Sequence, residues 1–349
     1  MTNTVVDTIE DHTMNTTTSP ITAVPTNIIT GFLGVGKTSA ILHLLKHKPD
    51  NERWAVLVNE FGEIGVDGSL FEGKHGEEGG VFIREVPGGC MCCAAGLPMQ
   101  IALNQLLSRA KPDRLLIEPT GLGHPKEVLQ VLSGQYNRDL LLLQKIITLV
   151  DARKLCDERY TSHDTFNQQI AIADIIVGNK VDLYPKDGKE ALKHYMLSHA
   201  RSGAEIVFTE HGEISPVLLQ GATSTQADQP ADLHHHHTAQ QTVPASQLPI
   251  PDCGYIKATN QGEGFNSVGW RFSPDKVFSY NKLFAVLTGL HAERMKAVFI
   301  TDDGLFGYNL TPDALTELPL DECLESRVEV ISDQPNTDLE AQLLDCLTQ

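Results

Sequence analysis

The run Gly31-Phe32-Leu33-Gly34-Val35-Gly36-Lys37-Thr38 constrains this chain more than any other feature. It fits GxxxxGKT, and its flanks suit that motif, since residues 27–30 read as a strand and residues 38–46 as a helix. Glycines at such a turn let backbone N–H groups wrap phosphates. Lys37 then reaches the β- and γ-phosphates, and the Thr38 hydroxyl is a ligand for Mg2+. Gly31, Gly34, Val35, Gly36 and Ser39 complete the expected phosphate-binding set. The bland alternative is a glycine-rich strand-to-helix turn with a chance Lys-Thr.

Asn179-Lys180-Val181-Asp182 follows the apolar stretch 174–177, at the carboxyl end of an expected strand, where α/β folds bind ligands. The Asp182 carboxylate can accept hydrogen bonds from guanine's ring N–H and exocyclic amine. Adenine does not offer that pair, so GTP is expected in preference to ATP. A third segment, Arg114-Leu115-Leu116-Ile117-Glu118-Pro119-Thr120-Gly121, is an apolar strand ending in an acid with a glycine beyond it. Glu118 could hold Mg2+ through water or orient an attacking water, and the Gly121 N–H could sense the γ-phosphate. A strand ending in a surface Glu is the alternative. No Gln or Arg can be assigned from sequence as the group that stabilises the transition state, which points to slow intrinsic hydrolysis and a switch-like protein.

Cys90, Cys92 and Cys93 crowd behind Gly88-Gly89. Thiolates suit Zn2+, Cu(I) and other thiophilic metals, and three ligands leave a fourth position for water, another side chain or a receiving protein. Buried small hydrophobes or a redox pair are the alternatives. Between the phosphate loop and the thiols, residues 59–67 (Asn-Glu-Phe-Gly-Glu-Ile-Gly-Val-Asp) form a polar, glycine-containing segment suited to a switch. His234, His235, His236 and His237 could hold metal weakly or simply solvate a linker.

At 349 residues the chain has room for two domains. Residues 1–22 lack apolar periodicity and read as a disordered leader; residues 23–220 alternate short apolar runs with helical patterns, the signature of parallel strands and crossover helices. Residues 221–252 are a polar, His-containing linker, and residues 253–349 read as a smaller α+β domain with an antiparallel sheet and no chemistry-bearing motif. The expected fold is therefore α/β: a P-loop NTPase domain with a mainly parallel sheet, then an α+β C-terminal domain. A formal charge of -18 would repel a phosphate backbone, which argues against nucleic acid. No run approaches the length of a membrane span. Seven cysteines, an odd number, suit free thiols in a reducing, cytoplasmic compartment better than disulfides.

Together these motifs resemble the CobW-type family of P-loop GTPases, metallochaperones related to the nickel-insertion GTPases of urease and hydrogenase. The extended strings at 58–63, 88–93 and 118–125 look particularly like its bacterial, zinc-binding YeiR subgroup. The resemblance spans about residues 25–333. It implies a GTP- and Mg2+-dependent protein that binds Zn2+ at Cys90, Cys92 and Cys93 and transfers it to a client metalloprotein, with a metal-dependent homo-oligomer as an option. It also brings in His211, within Thr209-Glu210-His211-Gly212, as a residue near the nucleotide. Ser39 stands where many relatives carry a second Thr. Within the same fold, activation of a cobalt or nickel enzyme stays open, as does a non-enzymatic metal or redox sensor. A small-molecule kinase is disfavoured by the guanine-reading segment.

Overall fold

The computed structural model describes residues 23–58, 79–86, 97–225, 248–262, 265–320, 322–334 and 337–348. The leader 1–22, the switch-like segment 59–67, the thiols Cys90, Cys92 and Cys93, and the histidine tract 234–237 lie outside these residues.

Eight strands form the first sheet: β1 (Val24–Gly31), β2 (Trp54–Val58), β3 (Val81–Glu85), β4 (Arg114–Glu118), β5 (Leu141–Leu143), β6 (Ile147–Val150), β7 (Ile175–Gly178) and β8 (Glu205–Phe208). Every pairing is parallel, in the order β3-β2-β4-β1-β6-β7-β8, with β5 beside β1. The central strands are buried along nearly their whole length, as a parallel sheet with both faces covered requires. Alternate residues feed opposite cores. In β2, Trp54, Val56 and Val58 join one apolar cluster, while Ala55 and Leu57 join the other. The helix α1 (Lys37–Lys46) covers the first face with Ile41, Leu44 and Leu45, and the helix Leu97–Ala110 covers the second with Met99, Leu103 and Leu107. Because β1 pairs with β4 on one side and β6 on the other, its carboxyl end opens where the connections diverge, the place at which open α/β sheets bind ligands.

The second sheet has six strands: β9 (Tyr255–Gly262), β10 (Phe265–Phe272), β11 (Arg294–Thr301), β12 (Gly304–Leu310), β13 (Leu315–Pro319) and β14 (Ser326–Ser332). It is antiparallel throughout, in the order β13-β12-β11-β14-β10-β9. One face carries Trp270, Met295, Ala297, Phe299, Tyr308 and Val330, which pack with Leu283 and Leu287 of the helix Tyr280–Thr288 and with Leu339 and Leu343 of the helix Leu339–Asp345. The opposite face meets the parallel-sheet unit, where Phe265 and Ile331 enter its core cluster. The phosphate-loop ring Phe32 marks the seam, 5.0 Å from Tyr160 and 6.3 Å from Phe265 between centroids.

The expected α/β architecture and the antiparallel companion are both present. The helix Tyr280–Thr288 begins only after Phe278. Phe278 is fully buried and bridges Thr301 and Leu347, so core burial holds the preceding residues out of the helix. Ala222, Ser224 and Thr225 still bond to the first unit, through Gln144, Asp174 and Ile172. Among the described residues no helix is long and apolar enough to cross a membrane.

Candidate functional site

The phosphate loop leaves β1 and runs into α1 through Gly36, whose φ of 98° is a left-handed conformation that L side chains rarely adopt. A Cβ there would also lie 2.5 Å from Asn179 Nδ2, so this position is closed to larger residues twice over. α1 begins at Lys37, and its first-turn residues Lys37, Thr38 and Ser39 line a cavity of about 480 Å³, within the range of small-molecule sites. The Lys37 ammonium folds back over its own loop and donates to the carbonyls of Gly31 (2.9 Å) and Phe32 (3.2 Å). Thr38 Oγ1 lies 3.2 Å from Glu118 Oε1, because β4 runs beside β1 and ends level with the start of α1.

The sequence-predicted residues converge on this cavity. Gly34, Val35, Gly36, Lys37, Thr38, Ser39, Glu118, Asn179, Lys180 and Asp182 line it. Gly31 and Gly121 stand just behind. Gly31 supplies a carbonyl to Lys37, and a Cβ on Gly121 would lie 3.2 Å from Lys37 Nζ.

At the base end, Asn179 is buried and ties two loops together. Its Nδ2 donates to the Val35 carbonyl (2.8 Å), and its Oδ1 accepts from the Gly212 N–H (3.1 Å). Gly212, at φ 74°, permits this approach, since a Cβ would lie 2.8 Å from Ala40 N. Asn179 thus holds the phosphate loop in register with the base-end loop, while the exposed Asp182 lines the cavity and His211 stands nearby on its wall. Lys180 adopts φ 63° and sends its ammonium 2.8 Å from Asp313 Oδ2.

Asp313 belongs to the second sheet's connections, and the cavity is built from both units. Arg294, Lys296, Asn309, Thr311, Asp313 and Thr316 line it from the antiparallel side, although sequence alone showed no chemistry there. The sequence carries no chemistry-bearing motif in this region, and the fold turns its charged side chains toward the cavity. Strand alternation is the reason: Met295, Ala297 and Phe299 point into the helix-covered core, which turns Arg294 and Lys296 to the other face. Lys296 Nζ donates to Thr38 Oγ1 at 2.6 Å. Arg153, in the turn after β6, makes paired contacts of 2.6 Å to Asp313 and also grips Asp151 (2.6 Å). Hydrogen bonds from Arg153, then from Lys180, hold the Asp313 carboxyl well below the usual carboxylate range despite its partial burial.

The cavity mixes charges of both signs: Lys37, Lys296, Arg294 and Glu118 line it together with Arg153, Lys180, Asp182 and Asp313. The donor set fits Mg2+, because the Thr38 hydroxyl beside the Glu118 carboxylate already accepts a cation's hydrogen bond from Lys296. The four cysteines among the described residues, Cys156, Cys253, Cys323 and Cys346, are free thiols.

Residues 25–208 match the family model for the CobW/HypB/UreG nucleotide-binding domain. The chain is 41% identical over 309 residues to the zinc chaperone YeiR of Escherichia coli (strain K12), which covers 88% of this chain and 92% of that protein. It is 32% identical over 198 residues to the zinc chaperone YjiA of the same strain, covering 55% and 59% of the two chains. The crystal structure of the Zn(II)-bound YjiA GTPase from E. coli aligns over 93% of this chain and 99% of that one, at 20% identity and a TM-score of 0.42. With a family model spanning more than half of its length and a relative matched almost end to end, this chain belongs to the CobW/HypB/UreG family of nucleotide-binding proteins.

Proposed function

We propose that this protein is a cytoplasmic GTP-hydrolysing zinc metallochaperone, in which Cys90, Cys92 and Cys93 bind zinc, a client protein receives it, and nucleotide state controls release. The reading is carried by the convergence of Lys37, Thr38, Glu118 and Asp182 on one cavity, from three separate segments of the parallel sheet. Membership of a family whose relatives are zinc chaperones supports the metal half.

In this account the first-turn N–H groups of α1 and Lys37 bind the β- and γ-phosphates, and Asp182 reads the guanine edge. Thr38, with Glu118 behind it, would hold Mg2+, which when bound neutralises phosphate charge and helps align the terminal group. Glu118 also orients water, whose oxygen bonds to the γ-phosphorus as the bond to the β–γ bridging oxygen breaks, giving GDP and phosphate. Gly121, packed against Lys37, is placed to follow the terminal phosphate through its backbone. Cys90, Cys92 and Cys93 offer three soft ligands and leave a coordination position for the acceptor, which favours transfer over storage. Switch-like residues 59–67 precede the thiols in the chain and provide the link between the two halves.

Two measurements test this. The purified protein with Mg2+ is expected to hydrolyse GTP but not ATP, and Asp182→Asn to lose that preference. Zinc titration is expected to give one tight site that Cys90→Ser or Cys93→Ser weakens. Absence of GTP turnover, with or without zinc, would leave a nucleotide-stabilised metal sensor as the better reading.

A further inference from the structure

The antiparallel sheet presents a polar row to the phosphate loop. Lys296 on β11 is flanked in register by Asn309 on β12 and Glu329 on β14. Lys296 is only 4% exposed and Arg294 only 6%. Lysine is rarely buried to this degree unless paired, and the buried Glu329 carboxylate stands beside it in the sheet; its ammonium also reaches across the seam to the hydroxyl of Thr38, 258 residues away in sequence. Thr38 belongs to the residue set that meets the outer phosphates, so a cation 2.6 Å from its hydroxyl is already at that end of the site.

We propose that Lys296 is a γ-phosphate ligand supplied by the antiparallel sheet, which makes the nucleotide site a joint property of the two units. This rests on the nucleotide reading above and deepens it. Lys37 alone is a modest counter-charge for a triphosphate in a molecule of formal charge -18. Lys296 adds a second cation beside the buried Glu329 carboxylate, and Arg294 on the same strand face also lines the cavity. Fixed cations aimed at a transferring phosphoryl group stabilise it where the charge develops. Lys296 therefore fills the role for which the parallel-sheet motifs offered no candidate.

Loss of the γ-phosphate removes a bridge between the sheets at one end of the cavity, while Arg153 and Lys180 keep their grip on Asp313 at the other. Hydrolysis is thereby read as a change at the junction between the units. A contrasting role, in which Lys296 merely plugs the cation position beside Thr38, predicts the opposite sign, because removing a plug strengthens Mg2+-nucleotide binding.

The test measures, on the full chain with Mg2+, the affinity of a fluorescent non-hydrolysable GTP analogue and of fluorescent GDP. Lys296→Met is expected to weaken the analogue about 10- to 100-fold and GDP less than about threefold, with Lys296→Arg restoring most of the loss. Asn309→Asp sets a carboxylate of nearly unchanged shape opposite Lys296. It is expected to reproduce the selective loss more weakly, and it decides the matter if Lys296→Met does not fold. Equal losses for both nucleotides, or a gain in analogue affinity, would overturn the proposal. Lys37→Ala, which should weaken both ligands, checks the site itself; a wild-type protein that binds neither nucleotide refutes the nucleotide reading and this proposal with it.

Discussion

The two sheets supply the same cavity by different physical means. On the parallel side the chemistry is carried largely by backbone: a glycine-bearing turn, the first N–H groups of α1 and short loops at strand ends hold Lys37, Thr38, Glu118 and Asp182 in place. Such devices need fixed residues at fixed spacing, so they leave a motif. On the antiparallel side the chemistry is carried by side chains standing on one face of a flat ladder, Arg294, Lys296 and Asn309, and any strand with the right alternation can present them. No motif results. Spacing marks the phosphate-loop turn, and only the fold shows which side chains stand opposite it.

The largest expected effect breaks the parallel side alone. Lys37→Ala removes a fixed phosphate donor and is expected to lower GTP turnover by about 10²–10³-fold, measured as phosphate release at saturating GTP, with the thermal midpoint little changed. Gly36→Ala tests the backbone itself. It forces an L side chain into a left-handed position and drives a Cβ against Asn179, so about 1–3 kcal/mol of strain is expected, with loss of nucleotide binding. Chemical denaturation of the free protein together with nucleotide titration would separate the two consequences.

Smaller effects are expected from the side-chain links. Asp182→Asn should weaken GTP by about 1–3 kcal/mol and leave ATP binding unchanged, read by competition against a fluorescent nucleotide. Asp313→Asn loosens the junction without touching the phosphate loop. Its bonds to Arg153 and Lys180 are partly solvent-exposed, so about 1 kcal/mol is expected, seen as a lower unfolding midpoint at neutral pH. The pH dependence has a definite sign. Asp313 is depressed in the folded state, so its contribution is fully present above the ordinary carboxylate value of about 4 and fades as pH falls below that. Wild type and Asp313→Asn should therefore differ at pH 6–8 and converge in acid; a difference that grows on acidification would contradict this account of the junction.

These contrasts explain what could be read from the chain. β2 is a fully buried apolar run, and its residues Trp54–Val58 stand out from the polar sequence around them. β3 and β13 are edge strands, only partly buried and interspersed with polar residues, and β5 has three residues; none carries a distinctive period. The phosphate loop and the Asn179–Asp182 segment were legible because local sequence dictates their geometry. Asn179 shows the limit even there. Its type and place were evident, but its structural task, bridging Val35 and Gly212, depends on a loop that follows β8. Lys296 was illegible for a stronger reason: the alternation of β11 shows that it faces away from the helix-covered core, and nothing local shows that the phosphate loop lies opposite.

The proposed metallochaperone couples GTP and zinc through one chain. Coupling free energies are reciprocal, so zinc must change nucleotide affinity by the same factor by which nucleotide changes zinc affinity. The direct measurement is GTP-analogue affinity with and without saturating zinc, in the wild type and in Cys92→Ser. Saturating zinc is expected to shift the affinity by about 5-fold or more in the wild type and not at all in Cys92→Ser. Identical affinities in all four cases would contradict it.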